Sequence, residues 1–507
     1  MKSKIYKNIA ILSLILTMLA VFAACNKDLG NYNYTELNAV DTVYDLRDTT
    51  VLYNSRFQLA PKLSFTLDPT ASPDDYTYEW VYFTGVKDED KIAISTERAI
   101  DYEVRLSPGT RVIYYAVKNK KTGIEKRFSF RLTVVNEINE GWMFLTEVND
   151  VARVDMLSLH TTGTKFDLIK DLLATTKSDL HLTGKPRSLY GYTSGLATSL
   201  GANFSYALYI NTTENGFRLE PNTFAWQSNY TLSKEMIGAP DKVSADVIKR
   251  NSSNRAYMIS GGNLYLFDRV NQLRFGIELN LIALKNQSFK VAPFIASNES
   301  TTSSTAAIFF DDTYKRFVKH TGTAASCTEI PDPTNKLFSF QIDKNLLYMT
   351  RTPYNSGEVF SVLQDLQSPK RYIARFNPVN NAQAFFEEIK IPDFDKAENF
   401  AVSPVYGYLF YSIGSKVYEY DMFAKTTKVM ADYGNQKITI LRFYSFQNAT
   451  KYTGEKDLIV CTYDESKPVG EGGKMDIYDV PGLNAQITLK NSYSGFGKVQ
   501  SLMYRER

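Results

Sequence analysis

One hairpin type recurs seven times between Trp142 and the end of the chain, and this recurrence constrains the fold more than any other feature. Each unit is an apolar strand, a turn and a second strand. They run Trp142–Leu159, Tyr206–Leu219, Ala256–Asp268, Ala307–Lys319, Leu346–Leu363, Tyr408–Asp421 and Leu458–Asp479. The first and last starting points lie 316 positions apart, so six steps average about 53 residues. That is close to the roughly 40–50 residues of propeller repeats. Three of the second strands look alike: Asn263–Asp268, Lys416–Asp421 and Lys474–Asp479 each follow a glycine turn and end on aspartate. A single small antiparallel sheet cannot cover both of its own faces. Stacking sheets around a ring covers them and leaves only short edges. The expected fold of residues 140–507 is therefore a β-propeller with seven blades favoured, six or eight remaining open. The segment Gly495–Leu502 is expected to close the last blade.

The stretch 37–136 reads differently. Short alternating runs such as Arg56–Leu59, Tyr76–Tyr82, Arg111–Val117 and Arg127–Val135 are punctuated by Asp68-Pro69, Ser107-Pro108-Gly109 and Lys121-Thr122-Gly123. About seven strands in roughly 100 residues predict an immunoglobulin-like sandwich. Trp80 lies mid-strand and is expected in its core rather than on a ligand platform. With 34 Tyr and 31 Phe against 3 Trp, the composition favours strands throughout. The fold class is all-β.

The first residues are read as an export signal. Lys2, Lys4 and Lys7 precede an apolar run from Ile9 to Ala24, short for a membrane span and right for a signal peptide. The run ends Phe22-Ala23-Ala24-Cys25, which resembles the lipobox of bacterial lipoproteins. That resemblance implies cleavage after residue 24 and lipidation of Cys25. Residues 25–36 then form a polar tether, and Lys27-Asp28 is similar to signals for the outer face of the outer membrane. The full chain carries 58 Lys+Arg and 55 Asp+Glu. Removing the three signal lysines leaves 55 of each sign, so no basic footprint for nucleic acid remains. Apart from Cys25, Cys327 and Cys461 are expected as two inert buried thiols rather than a disulfide.

Catalytic motifs are missing. His160, His181 and His320 are scattered without metal-ligand spacing and are expected in structural or surface roles. No nucleophile elbow, phosphate loop or calcium loop occurs. Gly261-Gly262 and the glycines of Gly470–Gly473 read as hairpin turns. Asp311 and Asp312 are adjacent on a strand and point to opposite faces, so they do not share a site. Lys87–Asp90 reads as a solvated loop. The expectation is no catalytic residue, no metal, no cofactor and no identified ligand-binding residue. A propeller hydrolase or lyase, with carboxylates drawn from separate blades, stays as an alternative.

Several short motifs together resemble the PKD-like lipoprotein family: the start Cys25–Tyr34, the strand Tyr78-Glu79-Trp80, the turn Ser107-Pro108-Gly109, the entry Gly141-Trp142 and the close Gly495–Val499. The resemblance implies a PKD-like, immunoglobulin-type first domain. It also implies a surface lipoprotein on the outer membrane, working beside a Sus-type importer made of a TonB-dependent barrel and a lipoprotein lid. The implied role is accessory capture of a peptide or glycan nutrient, with a purely structural or assembly subunit as the alternative. Asp41-Thr42-Val43 and Asp48-Thr49-Thr50 are similar to an O-glycosylation sequon of such exported proteins.

Overall fold

The computed structural model describes residues 37–507 except 137, 161–162, 164, 194–205, 253–254, 272–273 and 300–305. The export segment, the tether and Cys25 lie outside the described residues. The chain divides into two compact units: the first holds Arg56–Glu103, Thr110–Thr133 and the residues before Thr50, and the second holds Val134–Arg507 together with the short segments Thr50–Ser55 and Val104–Gly109.

The first unit is a β-sandwich. Its main sheet places Tyr76–Phe83 between Lys91–Ser95 and Gly109–Asn119, with Glu125–Val135 beyond. Two further antiparallel pairs join Val40–Tyr44 to Lys62–Phe65 and Arg56–Leu59 to Ile100–Glu103. Trp80 is 0% exposed. Its ring lies 4.3 Å from Tyr115 and 6.3 Å, edge-on, from Phe130. Its indole N–H donates to the Glu97 carbonyl at 2.9 Å, which satisfies the polar edge that an indole brings into a core. Trp80 is thus a core residue, as its place in the strand predicts. Lys87 and Glu89 form an exposed ion pair at the tip of the neighbouring hairpin.

The second unit is a β-propeller. Among the described residues seven antiparallel sheets follow one another along the chain, four of them four-stranded and three of them three-stranded. Each of the seven hairpins read from the sequence lies within one sheet. Blade one holds Gly141–Val148, Val151–Leu159 and Phe166–Ile169; blade two holds Pro186–Thr193, Tyr206–Thr212 and Gly216–Leu219. Blade three begins at Val247, blade five at Lys344, blade six at Glu398 and blade seven at Lys437. In blade four, the bridges Val291 to Asp311 and Ala296 to Ile308 add an inner edge to Ala307–Asp311.

What holds the ring together is an apolar core at every junction. One cluster runs from blade seven through blade one to blade two, joining Tyr444, Phe144 and Leu208. Others join blades two and three, three and four, four and five, five and six, and six and seven in turn. The junctions are largely aromatic. Tyr257 meets Phe309 at 5.0 Å, Phe317 meets Phe376 at 5.2 Å, and Trp142 meets Tyr444 at 5.2 Å. Each such side chain fully withdrawn from water contributes about 1.5–3 kcal/mol.

Closure differs from the sequence expectation. Thr488–Phe496 is the outer strand of the last blade, whereas Lys498–Arg505 crosses to blade one and pairs with Gly141–Val148. Gly497 sits at the crossing, where an added Cβ would lie 2.7 Å from the Thr146 hydroxyl. Gly495, at φ +101°, supplies a conformation that other residues rarely adopt.

The strand-ending aspartates have a structural role. Asp268 accepts backbone N–H bonds from Val270 and Asn271 and pairs with Arg255 at 2.6 Å. Asp421 accepts from Phe423 and Ala424. Such carboxylates fix tight turns. Asp311 is buried on Arg316, and half-exposed Asp312 pairs with Lys315, so the two adjacent acids do point apart.

Glu419 is 2% exposed in the strand Lys416–Asp421. Burial, then the nearby Asp421, pushes its carboxyl up to about 7, against an opposing pull from Lys428. Below the unfolded value of 4.5 both states are protonated. As pH rises from there to about 7 the unfolded chain ionises first, so stability is lost over that window. Glu419→Gln is therefore expected to stabilise the protein at pH 8 by roughly 1–2 kcal/mol and to change nothing at pH 4. Urea midpoints at the two pH values measure this, and an equal shift at both would remove Glu419 as the cause.

Candidate functional site

The innermost strand of each blade has a partner on one side only. Its other edge, with unpaired backbone groups, faces the axis. Around that axis lies a cavity of about 450 Å³ lined by residues from all seven blades. This volume falls within the roughly 300–1,000 Å³ of small-molecule sites. Gln500 also lines a second cavity of about 590 Å³, at the end where the strands beginning at Glu398, Lys437 and Lys498 start. The wall of that second space is rich in amides and hydroxyls, among them Asn399, Ser415, Asn435 and Gln436.

Four cations and three acids line the 450 Å³ cavity: Arg187, Lys249, Arg351 and Arg442 against Asp246, Glu299 and Glu455. Two of the acids are already engaged. Arg187 pairs with Asp246 at 3.2 Å, and Lys249 pairs with Glu299 at 3.2 Å. Glu299 also accepts from the Tyr190 hydroxyl at 2.9 Å, and that hydroxyl accepts the Arg250 backbone N–H at 2.9 Å. Arg351 donates to the carbonyls of Gly357 and Ala306 at 3.1 and 3.3 Å. Arg442 donates to the Leu502 carbonyl at 3.3 Å and lies 5.1 Å from the centre of the Tyr444 ring. Among the described residues no carboxylate lies within ion-pair distance of Arg442.

The opposite chemistry is supplied by aromatics. Phe294 meets Tyr348 edge-on at 6.0 Å, and Tyr348 lies 5.9 Å from Phe400. Burial pushes the Tyr348 phenol up to about 12, so it stays a neutral hydroxyl. One end of the inner strands is tied by Gln447. Its side chain accepts from the Thr193 N–H at 3.0 Å and donates to the Gly191 carbonyl at 2.9 Å, and its backbone N–H donates to Glu506 at 2.7 Å.

The residues singled out from sequence lie away from this cavity. His160 and His181 are exposed. His320 is buried: its Nε2 donates to the Ala324 carbonyl at 2.7 Å, so its Nδ1 accepts the Tyr257 hydroxyl at 2.7 Å. Burial lowers its pKa, keeping a neutral ring within the core. Cys327 and Cys461 are buried free thiols, each pushed up by burial. Among the described residues no group of three or more His, Cys, Asp or Glu is arranged to hold a metal. The lining arginines were not legible as a site, since no local motif joins them. Two of them share a position: Arg351 and Arg442 each fall within the last three residues of an innermost strand.

No curated protein matches the chain. Among solved structures, a quinonprotein alcohol dehydrogenase-like protein from Bacteroides thetaiotaomicron VPI-5482 is 13% identical with a TM-score of 0.46, covering 94% of this chain and 100% of that one. The Dos1 propeller is 10% identical with a TM-score of 0.41, covering 72% of this chain and 88% of that one. Similarity at this level transfers no activity and no ligand. In sequence, residues 25–186, from the cysteine through the sandwich and into the first blade, match the model of the PKD-like family.

Proposed function

We propose that this chain is a surface lipoprotein that captures a nutrient in the channel of its propeller, as an accessory binding subunit of a TonB-dependent Sus-type importer. The observation that carries the reading is the channel wall, where an aromatic row faces partly buried cations in a cavity of small-molecule size. An apolar surface with a few placed polar groups is what ligand sites use. The lipobox-like Phe22–Cys25 supports anchorage by lipid at Cys25, and the importer context is what the resemblance of Cys25–Tyr34 and the other short motifs to PKD-like lipoproteins implies. In this reading the chain captures without catalysis. Asp246 and Glu299 are held by Arg187 and Lys249, whereas glycosidic cleavage asks for one acid and one base free to reach the same bond.

Mild-detergent purification of the lipid-anchored protein tests the context. Recovery of a TonB-dependent barrel and its lid is expected, and recovery of the protein alone would remove the importer role. Calorimetric titration with peptide and glycan pools tests the capture, where flat traces throughout would remove it. A docking-only role draws support from another observation. Phe423 and Leu483 are 98% and 95% exposed at turn tips linked by a 2.9 Å bond from Asn484 to Asp421. Exposed apolar side chains of this size mark contact surfaces when they cluster.

A further inference from the structure

This inference rests on the reading of the channel as a capture site and names the chemistry of what it captures. Arg442 is the starting point. A guanidinium carries five donors and is costly to withdraw from water unless paired. Arg442 spends one donor on the Leu502 carbonyl and rests beside the Tyr444 ring. The acids that could neutralise it are committed elsewhere, Asp246 to Arg187 and Glu299 to Lys249 and Tyr190. Glu455, the remaining acid of the lining, makes no ion pair with Arg442 among the described residues. The lining therefore keeps one positive charge in excess.

We infer that the channel binds its ligand through a carboxylate held by Arg442, with Arg351 as a second cation of the same cavity and the ligand's apolar body against Phe294, Tyr348 and Phe400. A carboxylate suits the site because guanidinium and carboxylate match as a planar, bidentate pair, and such bonds are about twice as strong as neutral ones. The aromatic row then takes a sugar face or an aliphatic or aromatic side chain. Two sources supply this chemistry: the C-terminus or an acidic side chain of a short peptide, and a uronic acid in a glycan. Both put a carboxylate on a body of the size the cavity accepts.

Calorimetric titration of the full-length protein distinguishes the sources. One arm compares trigalacturonic acid with its methyl ester. The other compares a mixture of tripeptides bearing free C-termini with the same mixture amidated. Saturable binding is expected in one acidic arm, with at least a tenfold loss for its ester or amide and a loss of affinity as salt rises. Arg442→Gln is expected to weaken the acidic probe tenfold to a hundredfold while leaving the melting temperature unchanged, with Arg442→Lys in between. The acid-against-neutral comparison uses the unaltered protein, so it stands even where a variant fails to fold. Neutral probes that bind as tightly as the acids would overturn the carboxylate and leave the capture function standing. Silence from all four probes, acidic and neutral, would overturn both.

Discussion

Removing residues 498–507 is expected to abolish the cooperative unfolding of the propeller. Lys498–Arg505 forms the inner strand of blade one, in register from Gly141 opposite Arg505 to Glu147 opposite Lys498. It buries Val499, Leu502 and Met503 completely and Tyr504 nearly so. At about 1.5–3 kcal/mol for each fully buried side chain, their loss alone approaches the roughly 5–15 kcal/mol by which a domain is stable. The truncation also strips Gly141–Val148 of a partner along its whole length and opens the junction with blade seven, where Trp142 packs on both Tyr444 and Tyr504. Arg505 adds a polar anchor. It donates to the carbonyls of Ile138 and Pro221 and lies 4.7 Å from the Phe224 ring. Circular dichroism melts of the truncated chain should show a broad early transition or aggregation. A peptide covering 497–507, added in trans, should restore part of the transition, because an exposed strand edge accepts an added strand. A truncated protein melting within a few degrees of the full chain would show that ring closure is dispensable. Leu502→Ala is the graded form of the same test, with an expected cost of about 2–5 kcal/mol.

That strand also shows where sequence reading stops. The hairpins were legible because each puts an apolar strand, a glycine or Asx turn and a second strand within some 20 residues, a local pattern. Trp80 was legible for the same reason. Its alternating strand fixes which face is inward, and Tyr115 and Phe130 are there to meet it. The partner of Lys498–Arg505 was not legible. It lies more than 350 positions away in Gly141–Val148, and a strand carries no record of which distant edge it completes. The outer strand of blade four was faint for a different reason. Blade four ends in the two-residue strand Thr328–Glu329, too short to show alternation. The channel is the extreme case. Arg351 and Arg442 lie on blades five and seven, and what relates them is their phase within a repeat rather than any spacing between them. Once the repeat is in register, the shared place of Arg351 and Arg442 near the ends of two inner strands becomes a usable sign.

Glu235→Gln is expected to cost about 3–5 kcal/mol although it alters one atom of the side chain. Glu235 is fully buried at the end of the short turn Leu232–Glu235, and Arg218 beside it is nearly so. Their Nη1 and Oε1 atoms lie 2.5 Å apart, and the second carboxylate oxygen accepts the Tyr209 hydroxyl at 2.5 Å. The geometry of a buried pair of this kind roughly offsets the desolvation of its two charges. Taking away one charge leaves the other without an offset, which is why removing a single partner costs several kcal/mol while replacing the whole group by apolar residues is often neutral. The triple change Tyr209→Phe, Arg218→Met and Glu235→Leu is accordingly expected to recover most of what Glu235→Gln loses. Urea denaturation measures both, with the midpoint moving and the slope unchanged. A Glu235→Gln loss below about 1 kcal/mol would mean that water reaches Arg218 and screens it. The defect should also be felt at the channel. Tyr209 stacks on Tyr192 at 6.4 Å and Tyr192 lies 5.8 Å from Tyr190, whose hydroxyl bonds Glu299 in the channel wall. Loosening the ion pair therefore loosens the row of rings that positions Tyr190, so ligand affinity and stability are expected to fall together in Glu235→Gln and to return together in the triple variant.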